Sequence, residues 1–219
     1  MSITADQELM FKKFVDQGNV VIGRPAKIQG TFRISEYLTG TRIQFGTSVT
    51  LRNCSFKFPM GGGELKIGDH TTLRSLVHIG PKSKLTIGNH TVFNRDCELH
   101  AWEAASIKIG DACLFSNIKI RTSDMHSIYD LATKKRVNFS RDVFVGNKVW
   151  VAEGAVLGKG SHIEDGSVIG SYSFVTGHIE SNCIAAGTPA KIVRKGIYWE
   201  RAMDMNDPIA MPSKFNPEI

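Results

Sequence analysis

The amino-acid sequence predicts an all-β solenoid: a parallel β-helix of six-residue repeats with a protruding loop and short terminal helices. Three observations carry that expectation. A short motif recurs, an aliphatic or aromatic residue followed by Gly, four mostly small or polar residues and another apolar residue. From Val145 the spacing holds without a slip through Val151, Leu157, Ile163, Ile169 and Val175, with Val149, Ala155, Ser161, Ser167 and Ser173 at the fifth place of successive hexads. Such a period fits neither the three-and-four spacing of an apolar helix face nor the plain alternation of a strand.

A turn every six residues satisfies the pattern. Each hexad makes a short strand and a corner, where Gly or Asn allows the bend. Three sides close a coil, and stacked coils lie about 4.8 Å apart if they pair as adjacent strands do. The large apolar residue and the small fifth residue then face inward and fill a solid prism. A sandwich or barrel also breaks apolar runs with Gly, but would not keep a six-residue register over consecutive hexads. Spacing alone leaves the handedness of the coil open, and the usual crossover rule would favour a right-handed one.

The elements follow in order. Residues 1–18 place Leu9, Met10, Phe14 and Val15 at helix-like intervals between Thr4 and Gln17, a helix expected to cap the prism. Residues 19–196 form the coil, with copies at Ile22-Gly23, Phe45-Gly46, Ile67-Gly68, Ile87-Gly88, Ile109-Gly110 and Val145-Gly146. The segment Asn94 to Glu103 reads as an irregular joint between copies. Residues 123–142 interrupt the repeat with Asp124, His126, Tyr129 and Asp130 and are expected to protrude as a loop. The repeat ends after Gly187-Thr188-Pro189, and residues 197–219 are expected to form a helix over Ile197 to Met203 and a tail containing Pro208, Pro212 and Pro217.

Composition bounds the function. The 219 residues, 42% hydrophobic and 22% charged, bury a core that needs no disulfide or metal staple. No apolar run approaches the roughly 20 residues that cross a bilayer, and no secretory leader opens the chain, so a soluble cytoplasmic protein without a transmembrane segment is expected. The four cysteines, Cys54, Cys97, Cys113 and Cys183, form no C-x-x-C pair. A net charge of +6 suits an anionic partner, but the basic residues are spread out and match no nucleic-acid-binding signature, so no nucleic acid is expected.

Position on the repeat separates the seven histidines. His70 and His90 fall in matching corners, and His78, His162 and His178 fall on repeat faces. His100 lies near Trp102 and Glu103 in the joint. His126 sits in the longest break of register, two residues after Asp124, where an imidazole is placed to act as a general base.

The chain resembles the hexapeptide-repeat acyltransferases of the left-handed parallel β-helix fold, above all the galactoside, maltose and polysaccharide O-acetyltransferases. The resemblance covers most of residues 67 to 196. It is carried by the hexads, by Thr122-Ser-Asp-Met-His126-Ser, by Val149-Trp150-Val151-Ala152, and by Ala185-Ala-Gly187-Thr-Pro189-Ala-Lys191-Ile-Val-Arg194. It implies acetyl-CoA as donor, no metal, a homotrimer with active sites between subunits, and His126 as general base, with Asp124 or Asp130 as candidate orienting groups. It places Glu153, Ser171, Thr176, Gly177, Lys191 and Arg194 along the CoA groove, and Trp150 either beside the thioester or in trimer packing. Gly177 departs from the pattern, since relatives often carry Lys there. Acceptor contacts would come from Asp96, Glu98, His100 and Asp124. Asp96 stands where the galactoside enzymes have an acceptor-contacting Asn, which argues against their substrate.

The resulting expectation is an acetyl-CoA-dependent O-acetyltransferase acting on a sugar or surface polysaccharide hydroxyl. N-acetylation of a free or nucleotide-linked amino sugar uses the same base and groove, and a non-catalytic scaffold uses neither. A zinc-dependent carbonic anhydrase on this fold needs converging imidazoles, whereas Asp130 stands four residues after His126.

Overall fold

The computed structural model describes residues 3–35 and 39–201. Its body is a solenoid of short parallel strands. The first face runs through Val20–Ile22, Arg42–Phe45, Glu64–Ile67, Lys84–Ile87, Ser106–Ile109, Val143–Val145, His162–Ile163 and His178–Ile179. The second carries Thr72–Leu73, Val92–Phe93, Leu114–Phe115, Trp150–Val151 and Val168–Ile169, and the third Ser75–Ile79, Cys97–Ala101, Lys119–Arg121, Val156–Leu157 and Phe174–Val175. Thr50–Lys57 bends at Asn53, pairing with the second face through Thr50 and Leu51 and with the third through Ser55 to Lys57. In the regular C-terminal part, Val145 pairs with Ile163, Val151 with Ile169 and Leu157 with Val175, each three hexads on, so three sides close one coil.

The inward ladder follows the hexad. Val151, Leu157, Ile163 and Ile169 are fully buried, as are the fifth-place residues Val149 and Ala155. Ser161, Ser167 and Ser173, also buried, satisfy their hydroxyls on nearby backbone: the single proton of Ser161 Oγ is shared between Gly158 O at 2.6 Å and Val175 O at 2.8 Å. Phe93 and Phe115 stack in the interior at 4.8 Å between centroids. Each buried ring of this kind stabilises the prism by roughly 1.5–3 kcal/mol relative to exposure.

Gly23 takes the positive φ of the bend itself, but from Gly46 onward the motif glycine has a different reason from the one the pattern suggests. The bend with positive φ falls two residues later, on Ser48, His70, His90, Ala112 and Lys148. What Gly88 provides is room, because a Cβ there would lie 2.2 Å from Asp111 Oδ1. That carboxylate accepts from Asn89 N at 2.7 Å, one rung of a corner ladder that continues as Asp111 N to Asn147 Oδ1 and Asn147 N to Asp165 Oδ1. The small residue thus allows each coil to bond the next by side chain as well as by strand pairing.

At one end the helix Ala5–Asp16, opened by a Thr4–Gln7 capping box, buries Phe11 and Phe14 against Phe32, Phe45 and Phe58. At the other, Cys183–Gly187 folds back antiparallel onto Ala190–Lys195. Two local expectations are corrected. Within Asn94 to Glu103, Cys97–Ala101 is a regular strand paired with Ser75–Ile79, and the irregularity is confined to the flanking turns. Residues 197–201 form no helix: Trp199 donates Nε1 to Lys148 O at 2.7 Å and Arg201 reaches His90 O and Cys113 O, so the chain runs back along the prism in an extended strap. The remainder of the expected C-terminal helix and tail lies outside the described residues.

Candidate active site

The loop leaves the coil after Lys119–Arg121 and returns at Val143–Val145, and this insertion widens the strand register to Ile107 opposite Val143. Its base is closed by Arg141 N donating to Thr122 O at 3.0 Å, and its arms meet at a Tyr129–Arg136 bridge. Asn138, buried to 7% exposure, organises the interior. Its Nδ2 donates to His126 O at 2.7 Å and to Asp124 Oδ2 at 2.9 Å, while its Oδ1 accepts from Ile128 N at 2.7 Å and Arg136 Nε at 3.2 Å. The four bonds use the whole hydrogen-bonding capacity of one amide.

Two ion pairs fasten the loop to the prism. Lys159, from the following coil, pairs with Asp124, and that hydrogen bond holds the Asp124 carboxyl below its usual range. Arg136 pairs with Glu103 at 2.9 Å, and Glu103 also accepts from Ser123 Oγ at 2.6 Å, which together keep it ionised. His126 thus stands exposed on a backbone held from several sides. The carboxylates proposed to orient it are directed elsewhere: Asp124 to Lys159 and Asn138, Asp130 to Thr133 N and Oγ1 at 2.6 and 2.8 Å.

The acceptor candidates separate. Asp96 is paired with Arg74 at 2.6 Å. Glu98 gathers Lys119 at 3.0 Å and Arg121 at 3.4 Å, with His100 Nε2 at 3.7 Å. His100 packs its ring 4.7 Å from His78, and burial pushes it down to about 4, the neighbouring His78 adding to the effect. His78 Nε2, His100 Nε2 and Trp102 Nε1 are buried without hydrogen-bond partners among the described residues.

The groove candidates lie at the far end of the coil. Thr176, Gly177 and Lys191 line a cavity of about 440 Å³ together with His178, Pro189 and Ile192. A side chain at position 177 would meet open space, and Lys191 and Arg194 have no ion-pair partner among the described residues. Lys191 at the cavity and Arg194 three residues on along the same strand are exposed cations of the kind that suits phosphate groups. Ser171 lies exposed in a turn, and Glu153 is paired with Arg95 at 3.3 Å. Trp150 stands on the second face with its ring 5.9 Å from Trp199, whereas the His126 loop leaves from the corner after the third face. Asn138, Lys159, Arg136 and Trp199 were not among the sequence candidates. Their roles depend on contacts 10 to 51 residues away along the chain, which no local pattern marks.

No family model matches the chain. Among proteins of known name, WbbJ of Escherichia coli K12, provisionally named a lipopolysaccharide biosynthesis O-acetyl transferase, is 30% identical over 162 residues, covering 72% of this chain and 74% of its own. The chain belongs to the hexapeptide-repeat acetyltransferase family. A polysialic acid O-acetyltransferase of Escherichia coli O1:K1 is 38% identical over 120 residues, 54% of this chain, although that match spans only 39% of the relative's length. The crystal structure of the polySia-specific acetyltransferase NeuO superposes with a TM-score of 0.68 at 28% identity, over 84% of this chain and 86% of that one. This family fold is the left-handed parallel β-helix, contrary to the handedness that the general crossover rule favours. Among the described residues no helix is long and apolar enough to cross a membrane.

Proposed function

We propose that this member of the family is an acetyl-CoA-dependent O-acetyltransferase that modifies a hydroxyl of a polysaccharide or its sugar precursor, with His126 as general base. The observation that carries the reading is the loop, which holds His126 exposed while Asn138, Lys159 and Arg136 fix its backbone. A general base needs that combination of access and a defined position. The named relatives that modify lipopolysaccharide and polysialic acid support a glycan acceptor.

Acetyl-CoA supplies the acetyl group as a thioester. The acceptor hydroxyl is bound so that His126 takes its proton as the oxygen attacks, and the resulting imidazolium returns the proton to the departing thiolate. No covalent enzyme intermediate is needed. Lys191 and Arg194 would meet CoA phosphates, with Thr176 and Gly177 along the cavity that Lys191 lines; Ser171 and Glu153, which do not line it, would contact CoA beyond it. His126 and Trp150 occupy different sides of the coil, so a homotrimer would bring the loop of one chain toward the second face of another. Trp150 would then present an apolar wall near the thioester. Glu98 and His100, and with less freedom the salt-bridged Asp96 and Asp124, are the candidate acceptor contacts. An acetyl-CoA donor suits a cytoplasmic site for the reaction.

The test is mass-detected transfer from acetyl-CoA to a panel of bacterial glycans, neutral sugars and amino sugars, with wild type beside His126→Ala. Transfer to a glycan oxygen that is lost in the variant supports the reading. Transfer only to amines, or unchanged transfer by the variant, overturns it.

A further inference from the structure

Two exposed histidines on the first face form, with one carboxylate, a cluster separate from the loop. His162 and His178 occupy the same register position on neighbouring strands, and their ring centroids lie 5.2 Å apart. Glu164 stands two residues beyond His162 on the same outward side, its Oε1 2.8 Å from His178 Nε2. One donor atom from each of the three lies within 4.8 Å of the others. We propose that His162, Glu164 and His178 form a binding site for a first-row divalent transition-metal ion, of which Zn²⁺ is the representative.

The donor set and its support both point that way. Two neutral imidazoles and a carboxylate suit zinc, cobalt or nickel over calcium or magnesium, which take oxygen ligands. Metal–ligand distances near 2.0–2.1 Å place donors of a tetrahedral ion about 3.3 Å apart. The Glu164 to His178 contact therefore has to open by roughly half an ångström, and the donors that now lie up to 4.8 Å apart have to close to about that spacing, rotations open to two exposed imidazoles and a half-buried carboxylate. Glu164 is already oriented, because its other oxygen accepts from Ser181 N at 3.0 Å. The backbone beneath is fixed by strand pairing and by the buried Ile163 and Ile179. From below, Phe144 packs its ring 4.6 Å from that of His162, limiting the swing of the imidazole. Water would complete the coordination of a site with three protein ligands.

A second histidine pair supplies the contrast. His70 and His90 stack at 4.9 Å with planes 10° apart, but the nearby Asp69 points its Oδ1 to Thr47 N at 2.7 Å. That pair lacks a third donor within reach among the described residues. The proposed site also borders the groove, since His178 lines the cavity shared with Thr176, Gly177 and Lys191.

The test is calorimetric titration of untagged, chelator-treated protein with Zn²⁺, paired with the visible absorption of a Co²⁺ complex. Wild type is expected to bind one equivalent per chain and to give tetrahedral Co²⁺ bands. His162→Ala, His178→Ala and Glu164→Gln should each weaken binding roughly tenfold or more, while the double variant His70→Ala/His90→Ala should leave it unchanged. Thermal melts confirm that each variant is folded. Absence of binding by folded wild type, or binding that survives loss of His162 and His178, would overturn the proposal.

Discussion

The side-chain amide of Asn138 donates to the backbone carbonyl of His126 at 2.7 Å, so the residue proposed as base is placed by a side chain 12 positions away. The same amide holds Asp124, which Lys159 ties to the next coil. Position thus passes from the rigid prism to the exposed imidazole through one buried amide.

Replacing Asn138 with Ala should therefore act on turnover more than on folding. The loss leaves the Ile128 amide and the His126 carbonyl without this partner, a local cost of about 1–3 kcal/mol. The loop lies outside the core, so this cost falls mainly on local opening of the loop, and the melting temperature should drop by no more than a few degrees while kcat falls about tenfold or more and the KM for acetyl-CoA is kept. Equal losses in stability and turnover would instead show a merely structural residue.

His126→Ala should lower kcat by roughly a hundredfold or more, the scale of general-base removal, with CoA affinity nearly unchanged. Pre-steady-state transfer and equilibrium binding on the same preparation separate the two quantities. A variant that keeps normal turnover would falsify the role.

At the groove, Lys191→Ala should weaken CoA binding, and the difference should shrink as salt rises, because exposed phosphate contacts are screened. The open space at position 177 permits the converse experiment. Gly177→Lys adds a cation that family members often carry and should tighten CoA binding at low ionic strength. Titrations at two salt concentrations test both variants, and insensitivity of both would place the phosphates elsewhere.

The His78–His100 pair makes stability depend on pH. Burial holds His100 at about 4 in the folded chain against 6.5 for an ordinary imidazole, so between these values the unfolded chain binds the extra proton. Stability is greatest above 6.5 and falls as pH drops toward 4. His100→Leu should flatten that part of the melting-temperature profile, while a profile identical to wild type would show that this imidazole does not couple to folding.

Much of the fold was legible because the repeat is local. Inward residues such as Leu157 and Ile163 recur every six positions, since each coil makes the same three corners, and the N-terminal helix is written in the spacing of Leu9, Met10, Phe14 and Val15. The loop was legible as a break in that register. Its internal order was not: Asn138, Arg136 and Lys159 look like ordinary polar residues until the chain closes on itself. Asp124 shows the same limit, since proximity in sequence suggested a partner for His126 and folding directed its carboxylate to Lys159 instead.

The sequence by itself determined the coil, its core ladder and the segment that carries His126, because those depend on spacing within a few residues. Only the tertiary structure decided which polar groups meet: the Asn138 amide with the His126 backbone, Trp199 with Trp150, and His162 with Glu164 and His178. Stacking brings residues a full coil apart to within about 4.8 Å, a relation set by the number of residues in each turn and loop and invisible to any local motif.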